Sequence, residues 1–147
     1  MYNGILHAHS GLRWIALLLL VLTVVISLLN WISKKQDMSK TVRGIFRANT
    51  MFIHIQLLLG LVLLFISPKV NFSPDSWSNA AVRFYTMEHS LMMIIAVVLV
   101  TIGGAKMKRI ENYTGKYKTM LIYNAIALLI ILAMIPWPFR GLGAGWF

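Results

Sequence analysis

The stretch Leu12-Arg13-Trp14-Ile15-Ala16-Leu17-Leu18-Leu19-Leu20-Val21-Leu22-Thr23-Val24-Val25-Ile26-Ser27-Leu28-Leu29-Asn30-Trp31-Ile32 decides the fold. Its apolar character is continuous rather than alternating, so it reads as a helix and not as a barrel strand. About 20 apolar residues at roughly 1.5 Å each cross the hydrocarbon layer of a bilayer, and this run has that length. A helix satisfies its own backbone hydrogen bonds, which lipid does not. Three similar runs follow, so the expected spans are about 10–32, 45–67, 80–103 and 118–137. The apolar part of the last is short, and Thr119, Trp137 and Phe139 extend it. The expectation is an all-α, up-down-up-down transmembrane four-helix bundle forming one domain over residues 1–147.

Composition agrees. Of 147 residues, 59% are hydrophobic and 12% charged. A soluble domain averages about a quarter charged, and one core of this size would not hide so much apolar surface. Cysteine is absent, which excludes disulfides, iron–sulfur clusters and a covalent CxxCH haem. The acids are Asp37, Asp75, Glu88 and Glu111, too few and too scattered for a hydrolase built on paired carboxylates.

The net charge of +10 is explained by its placement rather than by nucleic acid. Lys34, Lys35, Lys40, Arg43 and Arg47 lie between the first two spans. Lys106, Lys108, Arg109, Lys116 and Lys118 lie between the last two. The other side holds Arg13, Lys69, Arg83 and Arg140. Ten against four predicts both basic loops in the cytoplasm and both termini in the periplasm of a bacterial inner membrane. No basic region precedes the first span and no small-residue cleavage site follows it, so it reads as a span and not a signal peptide. Trp14, Trp77, Phe84, Tyr85, Trp137 and Trp146 read as outer interface anchors. Trp31, Phe46, Tyr113 and Tyr117 read as inner ones.

The histidines carry the functional question: His7, His9, His54 and His89. Ionisable side chains in membrane spans are costly and mark functional hypotheses. Two imidazoles at similar depth on facing helices are what a b-type haem needs. His9 with His89 meets that if the first helix extends to about His7. His54 with His89 meets it if the third starts near Asn79. His7 is a further iron-ligand candidate. Arg13, one turn below His9, suits a haem propionate, a quinone oxygen or Glu88, and equally reads as a residue snorkelling to the interface. The plain alternative is that the histidines join helices through hydrogen bonds. Met87, Met92 and Met93 around His89 suit a soft metal such as Cu(I), and equally ordinary helix filling. His9-Ser10-Gly11-Leu12 and His89-Ser90-Leu91 open the first and third spans alike, a faint sign of a duplicated hairpin.

Four motifs carry a resemblance: His7-Ala8-His9-Ser10-Gly11-Leu12-Arg13-Trp14, His54-Ile55-Gln56-Leu57-Leu58-Leu59-Gly60, Glu88-His89-Ser90-Leu91-Met92-Met93 and Ile135-Pro136-Trp137-Pro138-Phe139. Through them the chain resembles small four-span bacterial membrane proteins labelled cytochrome b-like. The second motif also resembles a histidine-bearing span of haem A synthases, although this chain has half their span count. The resemblance implies haem b held by His9, His54 or His89, and it implies no reaction. Three functions are consistent with these readings. One is a haem b electron-transfer or membrane-anchor protein that exchanges electrons with quinone. The others are a non-catalytic accessory subunit among other membrane subunits, and a copper-handling protein.

Overall fold

The computed structural model describes residues 1–146. It is all-α, built on four helices long and apolar enough to cross a membrane. We label them α1 (Tyr2–Ile32), α2 (Lys40–Ile66), α3 (Ala80–Arg109) and α4 (Tyr113–Met134). Three starts are fixed by side-chain caps, which satisfy backbone N–H groups that have no partner inside the helix. Ser39 Oγ accepts from the Val42 amide. Asn79 Oδ1 accepts from Ala81 and Val82, and Asn112 Oδ1 accepts from Gly115. Two ends precede prolines: α2 stops before Ser67-Pro68 and α4 before Ile135-Pro136, because the residue before proline is pushed out of the helical region.

The helices close a ring in which each packs on its neighbours: α1 on α2, α2 on α3, α3 on α4 and α4 on α1. Ala16, Leu20, Ile53, Ala96, Val97, Val100 and Ala127 form the central core. Met38, Phe46, Tyr117 and Met120 close the basic end, where the Tyr117 hydroxyl donates to the Asp37 carbonyl at 2.9 Å. Between these layers an amide link crosses the ring's diagonal: Asn49 Nδ2 donates to Asn124 Oδ1 at 2.9 Å. The outward faces are apolar; Leu18, Leu29, Leu58, Phe65 and Leu129 are exposed. A bundle with an apolar interior and an apolar exterior suits contact with lipid.

The spans differ from the expected bounds at their ends. α1 begins at Tyr2, eight residues earlier than expected, so His7 and His9 are helical rather than outside the span. Hydropathy underestimates a helix whose first turns are polar. Three aromatics expected at lipid interfaces, Phe46, Phe84 and Tyr117, are buried instead. Each packs edge-on against another ring within the fold, where its apolar area is worth more than at a boundary.

One feature of α3 had no sign in the sequence. Residues Phe84–Glu88 form a wide π-helical turn. It ends at His89, whose N–H reaches back five residues to the Phe84 carbonyl. The Ser90 hydroxyl donates to the Tyr85 carbonyl at 2.9 Å. Such turns re-aim the side chains that follow them and recur at functional sites.

Candidate functional site

His89 is positioned by the end of α4, where the two late prolines stop the helix and leave its last carbonyls open. In a helix, the carbonyls of Leu132 and Met134 would accept from residues 136 and 138. Both are proline and have no N–H. The vacant Leu132 carbonyl takes the Trp137 indole N–H at 2.9 Å. The vacant Met134 carbonyl takes His89 Nδ1 at 2.8 Å. A carbonyl only accepts, so His89 Nδ1 carries the proton and Nε2 keeps its lone pair for another partner. A carbonyl that accepts from one ring nitrogen fixes the orientation in which the other nitrogen of a metal-binding histidine points.

His9 reaches the same place from α1. Gln56 Nε2 donates to the His9 carbonyl at 2.7 Å, which ties the α1 backbone to α2. Gly60 gives the ring its room: a methyl there would stand 3.3 Å from His9 Cε1. His9 Nδ1 is buried and has no hydrogen-bond partner. The two imidazoles meet across the other diagonal of the ring, from α1 to α3. Their centres are 6.5 Å apart and their planes at 75°.

His54 is elsewhere. Its Nδ1 donates to the Thr50 carbonyl at 2.7 Å, and its Nε2 lies 3.1 Å from the Thr101 hydroxyl. Both nitrogens are engaged, and His54 joins α2 to α3. Thr101 is twelve residues beyond His89, or about 18 Å along the helix. The helix starts required by both candidate pairs are present, since α1 extends past His7 and α3 starts beside Asn79. The structure brings together His9 and His89 and leaves His54 apart. His7 is exposed.

Arg13 lies on the His9 face of α1. Its guanidinium donates to the Trp146 carbonyl at 2.7 Å, while its Nε is buried without a partner. Glu88 does not meet it and pairs with Arg83 at 2.9 Å. Of the methionines near His89, Met93 faces the site and Met87 is exposed.

His9, His89, Arg13 and Gln56 line a cavity of about 220 Å³ at the histidine end. Its deep end is apolar, with Leu17, Leu20, Ile53 and Val97. Its mouth is covered by the segment Gly141–Trp146, of which the sequence reading took only Trp146, as an interface anchor. Tyr2, Lys69 and Tyr85 also reach this mouth. The vacant carbonyls were readable from Pro136 and Pro138; the contributions of Lys69 and Tyr85 had no sequence signal.

The chain is thus a bundle of four helices long and apolar enough to cross a membrane, with two imidazoles meeting beside a largely apolar cavity between them. No protein-family model matches the chain, nor does any curated protein or solved structure.

Proposed function

We propose that this is an inner-membrane haem b-binding protein that transfers electrons or anchors a larger complex, with His9 and His89 as the iron ligands. The supporting observation is the diagonal imidazole pair. His9 and His89 would hold the iron between their rings, whose centres lie 6.5 Å apart, and among the described residues no other pair of histidine rings meets in this way. The donor set also fits: two neutral nitrogens, and one guanidinium suited to a carboxylate. When bound, haem iron supplies reversible one-electron exchange. The chain's own residues would hold the ligand rings and exclude water with aliphatic walls. Quinone in the surrounding lipid is the electron partner consistent with a chain whose functional residues all lie within helices.

The bias of ten basic residues against four supports both basic loops facing the cytoplasm. Both ends then face the periplasm, and the histidine cavity opens toward that side.

The test is a visible spectrum of protein purified from haem-replete cells, oxidised and then reduced. A Soret band with a reducible b-type spectrum is expected, lost in His9→Ala and in His89→Ala and kept in His54→Ala. A colourless preparation, or a spectrum that depends on His54 and not on His9, overturns the reading.

A further inference from the structure

The cavity mouth has an unbalanced charge. Arg13 and Lys69 line it, and no Asp or Glu does. Their partners are neutral backbone carbonyls of one segment. Lys69 Nζ donates to the Gly143 carbonyl, and Arg13 to that of Trp146. Tyr85 adds a third donor, its hydroxyl meeting the Leu142 carbonyl at 3.1 Å. Trp14 Nε1 shares the Trp146 carbonyl at 3.2 Å. Three of these four donors are cavity-lining side chains.

The segment itself is built to lie across the mouth. Gly141 and Gly143 have φ of 66° and 68°, a region open to glycine at little cost. Trp146 stacks on Trp14, with ring centres 6.3 Å apart. No helix or strand holds Gly141–Trp146 in place. It is secured by side-chain donors and by the packing of Trp146 on Trp14 and Trp137.

A cation hydrogen-bonded to neutral carbonyls gains more from an oxyanion, which adds the attraction of two full opposite charges and, for a guanidinium, a bidentate fit. Arg13 Nε, itself buried, still has an unused donor. Below this cationic rim the walls are aliphatic. We infer that the cavity takes an amphiphile with an anionic oxygen head and an apolar body, and that Gly141–Trp146 is its displaceable lid. The lid's carbonyls hold Arg13, Lys69 and Tyr85 while the cavity is closed. They yield those donors to the arriving head, so the lid opens only for a ligand that replaces its hydrogen bonds. This rests on the same cavity as the haem reading, but not on iron ligation.

The test uses the full chain from haem-starved cells, placed in phosphatidylcholine nanodiscs. The probes are 11-(dansylamino)undecanoic acid and its uncharged methyl ester. Ala144→Cys gives a single thiol in a chain with no other cysteine, and a spin label there reports the lid. The acid is expected to bind at least tenfold more tightly than the ester and to mobilise the label, whereas the ester leaves the label unchanged. Arg13→Gln should weaken the acid about tenfold and not the ester. Deleting residues 141–147 should speed association of the acid at least tenfold. Equal affinity for acid and ester, or a label that stays immobile at saturating acid, overturns the inference. Repeating the titration in phosphatidylglycerol nanodiscs separates two sources of the head. Lost probe binding there supports a bilayer phosphate as occupant, and retained binding supports a single-chain carboxylate. None of these readouts needs iron, so their failure and that of the visible spectrum are independent.

Discussion

A methyl group added at Gly103 should push two helices apart, and one added at Gly104 should not. An ideal Cβ at Gly103 would stand 2.6 Å from Tyr123 Cβ and 3.1 Å from its Cγ. Carbon atoms prefer about 3.5–4.0 Å, so roughly 1 Å of separation is required. Tyr123 Cβ is fixed to its backbone and does not swing aside on a rotamer change. The displacement therefore falls on α3 and α4. Overpacking of this kind costs about 1–3 kcal/mol. Against it stands the gain from replacing a helical glycine by alanine, about 1 kcal/mol. Gly104 has no atom within 4 Å of its virtual Cβ, so Gly104→Ala keeps that gain without the clash. Comparing the two variants cancels the propensity term and leaves a difference of about 1–3 kcal/mol. Reversible unfolding in mixed micelles at rising SDS fraction, followed by far-UV circular dichroism, measures it. If Gly103→Ala is as stable as Gly104→Ala, the close α3–α4 contact at this level is wrong.

Three other outcomes are expected. Asn124→Ala strands the buried amide of Asn49 and should lower stability by about 0.5–2 kcal/mol; Asn49→Ala added to it should cost little more in the same titration, and full additivity would count against the amide link. Pro136→Ala with Pro138→Ala lets α4 continue and brings an N–H to the Met134 carbonyl, so ¹⁵N histidine spectra should show His89 losing its fixed Nδ1–H form. An unchanged His89 signal would show that the proline vacancy is not what orients the ring. Arg83→Ala breaks an exposed ion pair with Glu88 and should change stability by less than about 1 kcal/mol; a larger loss would mean that the pair supports the π turn.

The helices were legible because apolar length is a one-dimensional property. Leu12 to Ile32 needs no partner to be read as a span. The early start of α1 was not legible, because Tyr2 to Ser10 mixes polar and apolar residues and is held by tertiary contacts such as Gln56 on the His9 carbonyl. The site was half legible. His9, His89 and Arg13 were candidates by residue type, and the structure places all three at one cavity. His54 had equal standing in the sequence. What separates it is its level in the bundle, since its ring turns to Thr50 and to Thr101, about 18 Å along α3 from His89, and the sequence leaves the relative register of two spans open. Lys69 and Tyr85 were counted as loop charge and interface aromatic. Their role depends on where Leu142 and Gly143 fold back, a contact between residues more than fifty positions apart.

The π turn at Phe84–Glu88 divides α3 into two separately phased rods. Each residue of an α-helix advances the azimuth by about 100°. Removing one residue from the turn would leave His89 to Gly103 in place or Ala80 to Arg83 in place, but not both. The chain thus sets the direction of the first turn of α3 independently of the helix from His89 to Arg109, which carries both the site histidine and the packing against α4. The entry into α3 and the cavity wall are free to vary separately through one extra residue.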